Sequence, residues 1–175
     1  MIVLKNIDMT LDRASIAHAI QAIKDFRNQL SSAMTHLIET LTERGIEIAR
    51  AELIMFGESE GGPAYYSGAL SQSLQAAMLN DKEGIVTTGV MYAIFVEYGT
   101  GIKGEANSHP LKDELGITYP AAQKYGVDGW VYKGSDGQFH RTAGMASRPF
   151  MYNTLRDLQE EAEAIGGKVI AEYIP

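Results

Sequence analysis

Ile16, Ile20, Ile23, Phe26, Leu30, Met34, Leu37 and Leu41 follow one another at steps of three or four residues. A strand would need apolar residues at every second position, whereas this spacing places them on one face of an α-helix. The helix is expected over residues 12–56. Its stripe continues beyond Gly45 through Ile46, Ala49, Leu53 and Phe56. Gly45 is expected to kink or split it, since glycine in a helix costs about 1 kcal/mol relative to alanine. Thr10 and Asp12 are both suited to cap its start. The stripe is longer than one compact domain of this chain's size needs. Two readings follow: all of it packs on the protein's own core, or part of it packs on another subunit.

The remainder mixes element types. Residues 57–70 are rich in glycine, proline and small polar residues and read as a loop. Leu70, Leu74 and Met78, four apart, suit a short helix or a strand, and the pattern leaves both open. "DKEG" reads as a turn and "GIVTTGV" as a strand. In "VMYAIFVEYGTG", Tyr92, Phe95 and Val96 lie at i, i+3 and i+4 and Gly99 sits at a cap position, so a short helix with those three side chains facing the core is expected. Residues 99–129 form a long glycine-rich loop, within which "SHPLKDEL" and "TYPAAQKYG" suit brief helical turns. Residues 130–142 read as a β-hairpin with Trp130 and Tyr132 on one arm, Phe139 and Arg141 on the other and "GSDG" as its turn. Residues 148–173 read as the C-terminal helix. Ser147 would cap it, and Met151, Leu155, Leu158, Ala162, Ile165 and Val169 would form its stripe. The expected fold is a single α+β domain over residues 1–175, its long N-terminal and C-terminal helices packed on a small, mostly antiparallel β-sheet.

Composition narrows the function. The chain has 175 residues and no cysteine, which excludes disulfides, thiolate zinc sites and cysteine nucleophiles, and suits manufacture in a reducing cytoplasm. No apolar run is long enough for a transmembrane helix, and the first residues lack the pattern of a secretory signal. The net charge is −7 and the basic residues are scattered, which argues against nucleic-acid recognition.

Motifs for catalysis are missing. His18 and His36 lie 18 residues apart on the first helix, and no pair of histidines has zinc-ligand spacing. Each of His18, His36, His109 and His140 is expected to be exposed or in a loop. "GTGIKG" lacks the phosphate-loop spacing, and no dinucleotide, calcium-loop or nucleophile-elbow pattern occurs. No metal or cofactor is implied. The exception to this plainness is Glu97, one carboxylate inside an apolar and aromatic run. Three roles are open to it: an ion pair, for which Arg148 at the entrance to the last helix is the chosen partner; an exposed acid on the outer side of a short helix; or a catalytic acid, in a small hydrolase using Glu97 and His140.

Three segments carry a resemblance. "SGAL", Ser67, Gly68, Ala69 and Leu70, runs on to Ser73. A central signature comprises Gly89, Val90, Tyr92, Ala93, Glu97, Gly99 and Thr100. A late one comprises Gly144, Met145, Ala146, Ser147, Arg148, Pro149 and Phe150. In this order and spacing they resemble the tail-component, or tail-completion, proteins of long-tailed bacteriophages. The likeness is good over residues 65–155 and looser over 40–175. The stretch 102–129 and the N-terminal helix are longer than the family's pattern. The resemblance implies a non-enzymatic virion or prophage protein of the neck. It would assemble as a homo-oligomeric ring, expected to be sixfold, between the head-closing connector and the tail tube or tail terminator, with DNA only passing through its lumen and no membrane involved.

Overall fold

The computed structural model describes residues 9–59, 68–134 and 136–174. Ser67 of the early motif and the side chain of Phe56 lie outside what is described. The fold is α+β, with a long N-terminal helix, a C-terminal helix and small antiparallel sheets. In order, the elements are α1 (Arg13–Ser59), α2 (Ala69–Ser73), β1 (Leu74–Asn80), β2 (Glu83–Thr88), α3 (Ala93–Tyr98), α4 (Gly101–Ala106), α5 (Pro120–Tyr125), β3 (Trp130–Lys133), β4 (Phe139–Thr142), β5 (Gly144–Met145) and α6 (Phe150–Tyr173). Among the described residues the strands form two separate two-stranded sheets, β1–β2 and β3–β4. The ambiguous stretch after Gly68 is resolved by division, a short helix α2 followed directly by strand β1. The stretch expected as a long loop holds α4, α5 and a 3-10 turn at Gly126–Asp128. Pro120 opens α5, where its missing N–H costs nothing.

The described chain groups into two compact units. Residues 1–48, 75–87 and 156–175 form the first, and residues 49–74 and 88–155 the second. In the first unit, α1 and α6 run antiparallel. His36 stacks near Tyr173 with ring centroids 5.4 Å apart, and Arg44 grips Glu161 with two bonds of 2.6 and 2.7 Å. Gly45 does not break α1. Its absent side chain admits its neighbours: a Cβ there would sit 3.3 Å from Val86 and 3.6 Å from Leu158. The start of α1 is capped by Asp12, whose Oδ1 accepts the Ser15 N–H at 2.9 Å, while the Ser15 hydroxyl accepts the Thr10 N–H. The Thr10 hydroxyl and the Ser15 N–H hold the Asp12 carboxyl below its usual range. The stripe itself departs from the core reading. From Ile16 to Met34 its large members stay exposed.

In the second unit the core is Ala49, Leu53, Leu70, Leu74, Ala93, Val96, Tyr119, Ala122 and Phe150. Leu155 of the expected α6 stripe points outward, and Thr154 takes the inward place, its hydroxyl satisfied by the Phe150 carbonyl at 2.7 Å. The hairpin β3–β4 is antiparallel in the register Trp130↔Thr142 to Lys133↔Phe139, with Trp130 and Tyr132 on its more covered face.

Candidate functional site

The central and late signature segments meet inside the second unit and are joined mostly through backbone. Thr100 and Gly101 pair with Met145 and Gly144 in an antiparallel bridge. The Arg148 N–H donates to the Val96 carbonyl at 2.8 Å, and the Ser147 N–H to the Asn107 carbonyl at 3.0 Å. Contact this close excludes side chains. A Cβ on Gly144 would lie 1.9 Å from the Thr100 carbonyl oxygen, and one on Gly99 would lie 2.6 Å from the Ser147 nitrogen. Both glycines also adopt positive φ, +94° and +76°, which disfavours any other residue. Gly99 ends α3, as its position suggested, with its N–H bonded to the Phe95 carbonyl at 2.9 Å.

Glu97 lies at the centre of this joint and is 7 % exposed. One of its partners is His109. Nε2 of His109 lies 3.1 Å from Oε1. The other two bonds come from the first turn of α6: the Met151 N–H reaches Oε2 at 2.9 Å and the Tyr152 N–H reaches Oε1 at 3.1 Å. A helix start leaves its first N–H groups without internal acceptors and carries partial positive charge, so a carboxylate there is doubly favoured. Glu97 is therefore the cap of α6, supplied from another helix. Ser147, expected in that role, instead donates its hydroxyl to the Glu97 carbonyl.

His109, expected to be exposed or in a loop, lies in the loop after α4 and is 3 % exposed. Its ring lies between Tyr98 and Tyr152, with centroids 4.9 and 5.5 Å away. Its Nδ1 accepts the Leu111 N–H at 3.1 Å. A backbone N–H can only donate, so the ring proton belongs on Nε2, where it faces Glu97. The network joins one carboxylate, two backbone N–H donors and a histidine whose two nitrogens are both used.

The other sequence candidates fall into place around it. Gly68 precedes α2 at φ +75°, and Leu70 is buried. Thr100 Oγ1 accepts the Met145 N–H at 3.3 Å, and Phe150 is 1 % exposed. Pro149 accepts the Asn153 N–H on its carbonyl. Tyr92 and Phe95, expected in the core, are 38 % and 52 % exposed, and the inner face of α3 is Ala93, Val96 and Glu97. His140 sits on β4 with its Nε2 2.9 Å from Asp136, an exposed contact across the hairpin turn. Among the described residues no group of three or more potential metal ligands occurs, and no helix is long and apolar enough to cross a membrane. Comparisons with family models, curated proteins and solved structures find no match.

Proposed function

We propose that the chain is a structural protein of a phage or prophage neck, joining the head connector to the tail tube and required for tail completion. The observation that supports this reading is the joint described above. The residues that carry the resemblance, Glu97, Gly99 and Thr100 with Gly144 to Phe150, act on one another and hold α3, β5 and α6 together. Signature residues spent on mutual attachment suit a protein whose task is to keep a shape. In this reading the protein acts as a homo-oligomeric ring of expected sixfold symmetry, touching the head-closing connector on one side and a tail tube or terminator protein on the other. Its net charge of −7 suits a lumen through which DNA slides without adhering. Removing the gene from the phage or prophage tests the proposal. Heads and tails that fail to join, seen by negative-stain microscopy and restored by the gene in trans, are the expected outcome. Normal infectious particles from the deletion strain would end the reading. Neutralising lumen-facing acids should slow DNA passage; unchanged passage would remove the electrostatic part alone.

A further inference from the structure

His109 does more than complete the bonding of Glu97. Its Nδ1 holds a turn of its own chain closed, by accepting the Leu111 N–H at 3.1 Å. Around that bond the backbone is tightly wound. The Lys112 N–H donates to the His109 carbonyl at 2.9 Å, the Leu115 N–H to the Leu111 carbonyl at 3.0 Å and the Ile117 N–H to the Lys112 carbonyl at 2.9 Å. The ring is buried, but the turn it closes is not: Pro110 and residues 113–116 are exposed. A segment with so little buried surface opens at small cost once its anchor is lost.

We infer that His109 is an acid-sensitive latch on residues 109–117, released when Nδ1 takes a proton. Several groups face the ring. From α3 come the Glu97 carboxylate and the Tyr98 ring, and from α6 the Tyr152 ring and the first N–H groups of the helix. Lys112 of the turn itself lies over Tyr119, 5.6 Å from the ring centroid. Glu97 attracts positive charge, but it shares its oxygens with the Met151 and Tyr152 N–H groups and meets the ring at Nε2, which already carries the proton. A second proton has only Nδ1 to occupy, and there it would point at the Leu111 N–H. Two donors cannot face each other, so the turn must give way. The proton count sets the direction. An opened, hydrated His109 takes its second proton within the ordinary histidine range, about pH 5 to 8. The closed turn holds one proton fewer, so closing is favoured as pH rises and opposed as pH falls. The opening is local, because the two bonds from α6 to Glu97 do not pass through the ring. The latch does not rest on the neck reading, and a chain with another role would still carry it.

Hydrogen exchange of the full chain, corrected for the intrinsic effect of pH, tests the latch. Between about pH 7.5 and about pH 5.5, the Leu111 and Lys112 amides should lose protection at least about tenfold while amides within α6 keep theirs. His109→Asn should abolish that step, since its side-chain oxygen can accept the Leu111 N–H in an Asx turn and takes no proton. His140→Asn, at an exposed position, should leave the step unchanged. The nitrogen resonances of the ring test the same point in the native chain and should place its proton on Nε2 at about pH 7.5. Protection that does not change with pH, a step that survives in His109→Asn or disappears in His140→Asn, an equal loss throughout α6, or a ring proton found on Nδ1 would each overturn the proposal.

Discussion

The joint around Glu97 and the free face of α1 handle apolar and polar groups in opposite ways. At the joint a charged side chain is buried and every neighbour is arranged for it: two helix-start N–H groups, a histidine of defined tautomer and glycines that admit backbone within contact distance. On α1 between Ile16 and Met34, large apolar side chains are exposed and the polar bonds are local. The first region is finished within one chain. In the second, large apolar side chains stay exposed beside the buried Ala19 and Ala33. Which of two such regions a residue belongs to decides what its loss will do, because loss from a bonded network costs stability and loss from an exposed face costs little.

Substitutions can break or sharpen that contrast. Gly144→Ala should be the most damaging, since the new Cβ would collide with the Thr100 carbonyl at a positive φ. A loss of more than about 3 kcal/mol is expected in urea unfolding. Glu97→Ala, which strands two N–H groups and His109, should cost about 3 kcal/mol, and Glu97→Gln, which keeps an acceptor, about half as much. Equal losses in those two would mean that shape and not hydrogen bonding holds the joint. A smaller effect belongs to Arg44, which holds the Glu161 carboxyl below its usual range. A depressed carboxylate stabilises above its ordinary pKa and loses that contribution as pH falls through the lowered value. The melting temperature of Arg44→Met should therefore fall below that of the native chain at pH 7, and the gap should close toward pH 2; the pair is half-exposed, so the gap should be small. Least of all, Ile23→Asp should change unfolding free energy by under about 0.5 kcal/mol. A larger change in the monomer would show that the α1 face is covered by the chain itself.

The two regions were also unequally legible in the sequence. The α1 stripe is written in side chains at a fixed period, so the helix and its apolar face could be read, although its exposure could not. Gly99 was readable as a helix end because a positive φ needs glycine. The partners of Glu97 were not readable, for two reasons. Met151 and Tyr152 serve it with backbone N–H groups, which any residue would offer. His109 sits in a stretch that looks like loop, and only its place beside Pro110, where a turn brings the Leu111 N–H onto Nδ1, hints that its ring is fixed. The same blindness put Tyr92 and Phe95 in the core. In a six-residue helix, apolar spacing alone does not tell which face is inner, and here the inner face holds the acid because a helix start awaits it.

The unbroken passage of α1 through Gly45 has a consequence for chain length. Each helical residue turns the helix by about 100°, so one residue added between Met34 and Gly45 would swing the face at Ile16–Leu30 about a quarter-turn out of phase with the contacts at Arg44. Seven added residues would return it to within about 20°. The helix thus keeps angular time between its two ends. Insertions there should be tolerated in sevens and not in ones, a rule of count that no single side chain in the segment carries.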